Sequence, residues 1–288
     1  MLRDDVARVA AIFRDSFNEL YVRRGFGQVV PDVSVGASIA ETYLKLDPTG
    51  CVVATQRGKV VGSAFLHVRG TTAGIGPVTV DPGYQGAGVG RELIDELCRR
   101  ADSARVRSLR LIQDAFNEIS FALYSRAGFV VREVLARASF RSERAAIPRT
   151  VRRAQASDLP AILRNELDLL GIERRADHEL LMRIGELFVA GDHAEGGSMA
   201  RIARGGVAVL GPAISRSADD LVDLIAAATA DLPSQTDTRL LVPVRKSDLM
   251  DRLLERGLEI HSLCTYMVRG EYQAGAGYYV PTLFPESG

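Results

Sequence analysis

Chemistry is most concentrated in one stretch, Val78-Thr79-Val80-Asp81-Pro82-Gly83-Tyr84-Gln85-Gly86-Ala87-Gly88-Val89-Gly90-Arg91. It runs from a strand through a turn and closely spaced glycines to a helix start. That order suits a phosphate or diphosphate. Glycine lets an anion approach the main chain where a side chain would block it or forbid the required dihedrals. The first N–H groups of a helix lack intrahelical partners, and the helix dipole adds roughly half a positive charge there. Such a cradle needs no lysine, and this stretch has none. Two other phosphate loops are excluded by spacing. A G-x-G-x-x-G beginning at Gly86 needs glycine where Arg91 stands, and Arg110 rather than an acid lies 20 residues after Gly90. A nucleotide P-loop needs Gly-Lys-Ser/Thr, which the missing lysine rules out.

A second element follows at Asn117-Glu118-Ile119-Ser120-Phe121-Ala122-Leu123-Tyr124-Ser125-Arg126-Ala127-Gly128-Phe129. The Q-x-x-G-x-G of Gln85 to Gly90, preceded by a strand and a proline, resembles the acyl-CoA signature of the GNAT N-acyltransferase superfamily. The Asn117–Phe129 stretch is similar to that family's downstream N-x-x-(A/S)-x-x-x-Y-x-x-x-G-F element. The resemblance covers residues 60–140 well and residues 1–60 loosely.

The resemblance implies a role for each matching residue. Val78, Thr79 and Val80 would offer strand-edge groups to the pantetheine amides of acetyl-CoA, adding that arm to the sheet like a strand. Gln85, Gly86, Ala87, Gly88, Val89, Gly90 and Arg91 would hold the pyrophosphate. Asn117 would contact the same molecule where the two central strands splay, and Tyr124 would lie near the thioester sulfur as general acid. The implied reaction is direct attack by a neutral primary amine on the acetyl carbonyl in a ternary complex. A backbone amide of the third strand would stabilise the oxyanion, and no covalent enzyme intermediate is needed. The base is open, since residues 74–80 contain no acid. Asp114, His67 or a chain of waters are the candidates. Read without the resemblance, Tyr124 could be a core aromatic and Asn117 a helix cap. Asp15, Asn18 and Glu19 read most simply as a solvated helix face. Two other functions stay open, a non-catalytic acyl-CoA sensor and a mycothiol-synthase-like acetyltransferase.

The elements that must position these residues follow from periodicity. Val6, Val9, Ile12, Phe13 and Phe17 predict an amphipathic helix over 4–20. Residues 51–56 and 59–68 predict two antiparallel strands about Arg57-Gly58, and a third strand covers 73–80. Val89, Leu93, Leu97 and Ala101 form a helical stripe, followed by a strand at 107–113, a helix at 117–127 stopped by Gly128, and a strand at 129–140. The polar stretch 141–149 is the expected boundary between a catalytic domain, 1–143, and a second domain, 150–288.

Beyond the boundary the order of elements begins again. Val151-Arg152-Arg153-Ala154 is strand-like, and Ser157 is the expected cap of a helix whose first turn holds Pro160. A strand at 199–210, a helix at 218–230, a strand at 238–244, a helix at 247–256, a strand at 258–268 and a tail at 275–288 follow. The predicted class is therefore α/β with a mixed α+β sheet: two GNAT-like domains, each a mostly antiparallel mixed sheet flanked by helices. The second resembles a degenerate repeat, with Leu253 at the Tyr124 position and Lys246 at the Asn117 position. The stretch from Gly211 to Asp220 lacks the glutamine and the clustered glycines. One acetyl-CoA site per chain is expected.

Composition narrows the function classes. At 288 residues, against roughly 150 for one domain, about two domains are expected. Thirty-six basic and 36 acidic residues cancel, so no global field favours nucleic acid or a membrane surface. Lysine occurs only at Lys45, Lys59 and Lys246. Cys51, Cys98 and Cys264 fit neither a disulfide framework nor a thiolate site, and the four histidines lack ligand spacing, so no metal is expected. No apolar run is long enough to span a bilayer, which points to a cytoplasmic protein. The expected partner is a small-molecule or peptide amine, and a homodimer is compatible with the sequence.

Overall fold

The computed structural model describes residues 1–141, 150–172 and 174–281. The expected boundary at 141–149 lies outside these except for Arg141, as does the end of the expected tail. The chain forms two compact units. The first comprises Met1–Val130 and Met267–Glu271, and the second Val131–Tyr266 and Tyr272–Gly288.

In the first unit, helix α1 (Val6–Arg23) buries Val9 and Ile12. They meet Ala40 and Tyr43 of a second helix, α2 (Val33–Leu46), and Phe65 of the sheet. Periodicity did not reveal α2. Its Gly36 lies so close to α1 that a Cβ there would be 3.0 Å from the Ala10 Cα, so small residues set this helix contact. Asp32 caps α2 by accepting from the Ser34 amide at 2.6 Å. Strands β1 (Cys51–Gln56) and β2 (Lys59–Arg69) turn at Arg57 and Gly58, both at positive φ as a two-residue hairpin loop requires.

Strand β3 (Thr72–Val80) runs antiparallel to β2, with an irregularity between Ala64 and Leu66. Helix α3 (Val89–Ser103) buries Leu93, Ile94, Leu97 and Ala101. Strand β4 (Ser108–Asp114) pairs in parallel with β3 only from Thr72↔Ser108 to Gly74↔Arg110, after which the two strands part. Helix α4 (Glu118–Arg126) follows β4. A segment from far along the sequence completes this unit. The Glu271 amide donates to the Arg107 carbonyl at 2.8 Å. Arg269 grips the Asp102 carboxylate through two hydrogen bonds, at 2.9 and 3.1 Å.

The second unit is also a mixed, mostly antiparallel sheet flanked by helices. Its elements are β5 (Val130–Phe140), β6 (Val151–Arg153), α5 (Leu159–Leu170), α6 (Arg175–Ile184), β7 (Glu186–Ala190), β8 (Gly197–Arg204), β9 (Val207–Ser215), α7 (Ala218–Thr229), β10 (Asp237–Pro243), α8 (Ser247–Glu255), β11 (Leu258–Gly270) and β12 (Tyr278–Val280). The strand order is β11-β5-β10-β9-β8-β7-β6, with β12 added to β9. Its core gathers Leu221, Leu224 and Ile225 of α7 with Leu240 and Val242 of β10 and Leu249 and Leu253 of α8.

Three expectations differ from this arrangement. The strand expected at 199–210 is the hairpin β8–β9, turned at Gly205 and Gly206, both at positive φ. Ser157 caps nothing; it lies in a short 3-10 turn, Ala156–Asp158, whose Asp158 carboxylate accepts from the Gln155 amide at 2.7 Å and from Arg152. Helix α6 and strand β7 are additional elements.

Candidate active site

The site is assembled around the place where β3 and β4 separate. Beyond Gly74, β3 has no strand partner on its β4 side among the described residues, so the backbone of Val78, Thr79 and Val80 is open along that edge. The Thr79 side chain is not part of this edge. It is buried, and its hydroxyl lies 2.9 Å from that of Ser63 on β2.

The connection from β3 to α3 is braced at its start and open at its end. The Asp81 amide donates to the Val61 carbonyl at 2.9 Å, and the Asp81 carboxylate accepts from the Gly83 amide at 2.8 Å. The same carboxylate pairs with Arg8 of α1, whose Nε donates to the Val60 carbonyl at 3.1 Å. The Gln85 side-chain amide donates to the Val80 carbonyl at 3.3 Å, tying the first motif residue to the end of β3. Gly86 and Gly88 then take φ values of +78° and +89°. A Cβ at either would meet no atom within 4 Å, so their glycines answer to backbone conformation and to what approaches from outside.

Between Gly86 and Arg91, no backbone amide has a hydrogen-bond acceptor among the described residues; the first helical bond is Glu92 N–H to the Gly88 carbonyl at 3.1 Å. A consecutive run of main-chain donors, exposed at Gly86, Ala87, Gly88 and Arg91 and half-buried at Val89 and Gly90, thus meets the positive end of α3. Gly90 serves packing, since a Cβ there would lie 3.5 Å from a Leu123 methyl of α4. The Arg91 side chain is exposed, with Asp95 at 3.6 Å.

Asn117 caps α4, accepting from the Ser120 amide at 3.2 Å while its side-chain amide donates to the Ser120 hydroxyl at 2.9 Å. It stands just beyond the end of β4. Tyr124, one turn before Gly128, is 8% exposed and packs edge-on against Phe129 with ring centroids 6.1 Å apart. Burial alone pushes its phenol up to about 12. The group is therefore protonated throughout the neutral range and is suited to give a proton, not to hold a negative charge.

Sequence reading did not find the groups around Asp114. The Tyr21 hydroxyl of α1 donates to the Asp114 carboxylate at 2.9 Å. Tyr21 also meets the rings of Phe26 and Phe116, at 5.8 and 5.1 Å between centroids. Asn18 is not a solvated residue. Its side chain accepts from the Val29 and Val30 amides at 3.0 and 2.9 Å and donates to the Val30 carbonyl at 2.8 Å, pinning the loop after α1. Asp15 accepts from its neighbour Arg14 at 2.8 Å, and Glu19 is exposed. His67 belongs to the core. It is 1% exposed, lies 3.9 Å from the Tyr43 ring and is pushed by burial down to about 3, so it takes up no proton near neutrality.

Known proteins resemble this chain in part of its sequence and in its fold. A bS18-alanine N-acetyltransferase of Escherichia coli K12 is 36% identical over 75 residues, covering 26% of this chain and 51% of that protein. The chain thus spans about half the length of the curated relatives it matches. A Pyrococcus horikoshii structure grouped with the acetyltransferases covers 100% of this chain and 94% of its own, at a TM-score of 0.81 and 19% identity. A GCN5-related N-acetyltransferase from Sphaerobacter thermophilus covers 95% of each chain at a TM-score of 0.66 and 10% identity. These two likenesses concern the fold, a mixed sheet with flanking helices. The acetyltransferase (GNAT) family profile matches residues 10–129, the stretch that holds most of α1, the parted strands, the open amides and Tyr124.

Proposed function

We propose that the first unit transfers an acetyl group from acetyl-CoA to a primary amine by direct attack in a ternary complex. The observation that carries this reading is the unpaired run of amides from Gly86 to Arg91 at the N-terminus of α3, beside the open edge of β3. Acetyl-CoA is the acyl donor and is consumed. Its diphosphate matches the amide run in charge and in donor type, with no acidic side chain between Gln85 and Arg91 to oppose it. Val78, Thr79 and Val80 present backbone groups to which the two pantetheine amides could add as a strand does.

In this reading an amine attacks the thioester carbonyl, the carbon–sulfur bond breaks, and coenzyme A leaves as the thiol. A β3 amide stabilises the oxyanion, and Tyr124 donates the proton to the departing sulfur. Against a free thiol near 8.5, a phenol at about 12 is a weak acid. A sulfur anion forming in the same buried surroundings is also destabilised, which narrows the gap. Asn117 fits a double role, since capping α4 also fixes its side chain at the mouth of the parted strands. Asp114, held by Tyr21, and water are the remaining routes for the amine proton, His67 being unsuited.

We propose the second unit as a diverged copy without catalytic chemistry. Lys246 and Leu253 hold the N-cap and helical positions that Asn117 and Tyr124 hold in α4. The acceptor class follows only in outline. The named relatives act on the alanine of a ribosomal protein, so a peptide α-amine belongs in the test panel beside small amines. Release of free thiol from acetyl-CoA, followed with that panel, tests the proposal. Turnover with at least one amine is the expected result; tight binding without thiol release from any of them would make the chain a donor-binding protein instead.

A further inference from the structure

The two units share a detailed strand register. In the first, β2 and β3 pair Gly62↔Val80, Ser63↔Thr79 and Ala64↔Val78, then resume at Leu66↔Ile75. In the second, β8 and β9 pair Gly197↔Ser215, Ser198↔Ile214 and Met199↔Ala213, then resume at Arg201↔Leu210. The parallel pairs also correspond, Thr72↔Ser108 to Gly74↔Arg110 against Val207↔Asp237 to Val209↔Arg239. Ala213, Ile214 and Ser215 therefore stand where Val78, Thr79 and Val80 stand, on an edge that also opens once the parallel pairing stops.

In the second unit that edge is filled. Strand β12 pairs antiparallel with it, Tyr278↔Ser215, Tyr279↔Ile214 and Val280↔Ala213. The counterpart of Asn117 touches the same strand, the Lys246 ammonium lying 4.7 Å from the centre of the Tyr278 ring, and Leu253 belongs to the core cluster that also includes Val280. Gly277 is pressed so closely to Ser215 that a Cβ would come within 2.5 Å of its carbonyl oxygen. The anion cradle is also gone. Where the first unit has Asp81–Gly88, only Arg216 and Ser217 link β9 to α7. The Ser217 hydroxyl already accepts from the Asp220 amide at 3.1 Å, and Asp219 and Asp220 occupy the first turn.

We infer that the splayed edge of the second unit is a groove for an extended peptide strand, held in this chain by its own Tyr278–Val280 segment, and that it takes no acyl-CoA. This rests on the donor reading of the first unit only for the comparison, since the occupancy of β9 stands by itself. Amide hydrogen exchange on the full chain, with and without acetyl-CoA, tests it together with titration calorimetry. The amides of Tyr278–Val280 and Ala213–Ser215 should exchange about 10³-fold more slowly than in an unstructured chain, as core strands do, and acetyl-CoA should leave them unchanged. Binding should saturate at one acetyl-CoA per chain. In Gly277→Val the protection of Tyr278–Val280 should fall at least tenfold while that stoichiometry stays. Unprotected Tyr278–Val280 amides in the unmodified chain, acetyl-CoA slowing exchange at Ala213–Ser215, or two molecules bound per chain would each overturn the inference. A chain that binds no acetyl-CoA yet keeps the β12 protection would refute the donor reading and leave the strand-filled groove standing.

Discussion

Gly88→Val separates the contribution of the amide run from that of the strand edge. At φ +89° the residue lies in the left-handed half of conformational space, where a β-branched side chain costs about 1–3 kcal/mol. A Cβ at Gly88 meets no protein atom within 4 Å, so nothing in the fold resists the side chain itself. The strain is relieved by turning the Gly88 backbone, which redirects the donors on either side, and the new methyl groups project into the space the donors face. The affinity lost should therefore equal or exceed the strain, a rise in Kd for acetyl-CoA of about 5- to 150-fold. Gly88→Ala should fall at the lower end. Acetyl-pantetheine, which keeps the thioester and both amides but lacks the diphosphate, should bind both variants within about twofold of the unmodified chain, since β3 is untouched. Titration calorimetry with the two donors reads this directly. If Gly88→Val binds acetyl-CoA as well as the parent, or loses both donors equally, the amides from Gly86 to Arg91 do not hold a diphosphate.

Tyr124→Phe should leave the Kd of acetyl-CoA unchanged and lower kcat by about 10- to 100-fold, within the range of general-acid effects; an active phenylalanine variant in single-turnover assays removes Tyr124 from the proton path. Raised from 10 to about 12, the Tyr124 phenol stays neutral in the folded chain after it begins to ionise in the unfolded one. Its contribution to stability should be intact below pH 10 and decline as pH climbs toward 12, a slope that Tyr124→Phe flattens in pH-dependent denaturant melts. His67 works at the other end. Neutral in the fold down to about pH 3 and protonated in the unfolded chain below 6.5, it should drain stability by up to about 1.4 kcal/mol per pH unit across that window, and His67→Leu should reduce this acid sensitivity. Asp81→Asn keeps an acceptor for the Gly83 amide but loses the charge that pairs with Arg8. It should raise KM for acetyl-CoA about 3- to 10-fold with kcat/KM for acetyl-pantetheine unchanged; equal losses with both donors would show that the Arg8–Asp81 pair supports the fold generally.

What the sequence discloses depends on whether a local constraint fixes the residue. Gly86, Gly88 and Gly128 are visible because positive φ restricts the residue type, and the apolar stripe of α3 because its burial is one-sided. Helix α2 escapes detection because its packing rests on Gly36 against Ala10, and a glycine that serves a neighbouring helix weakens the helical signal of its own. Paired glycines favour a hairpin turn, but apolar residues continue on both sides of Gly205-Gly206 and make the two strands read as one. Asn18, Arg8 and Tyr21 act on partners distant in sequence, Val30, Asp81 and Asp114, and nothing in their local surroundings announces those contacts. Lys246 is legible as the residue that precedes helix α8, whereas strand β12, whose Tyr278 ring lies 4.7 Å from its ammonium, could not be read from spacing.

The last residues of the first unit, Met267–Glu271, are synthesised more than a hundred positions after Val130. The end of β11 in this segment is the strand beside β4, and at ribosomal rates of about 5–20 residues per second it follows the rest of that unit by roughly 7–30 s. During this interval the nascent β4 carries an unsatisfied edge, a surface on which two chains growing from one messenger could join. A fragment cut at Val130 inherits the same exposed ladder permanently, so recombinant production of the first unit calls for the whole polypeptide or for a grafted copy of its closing segment.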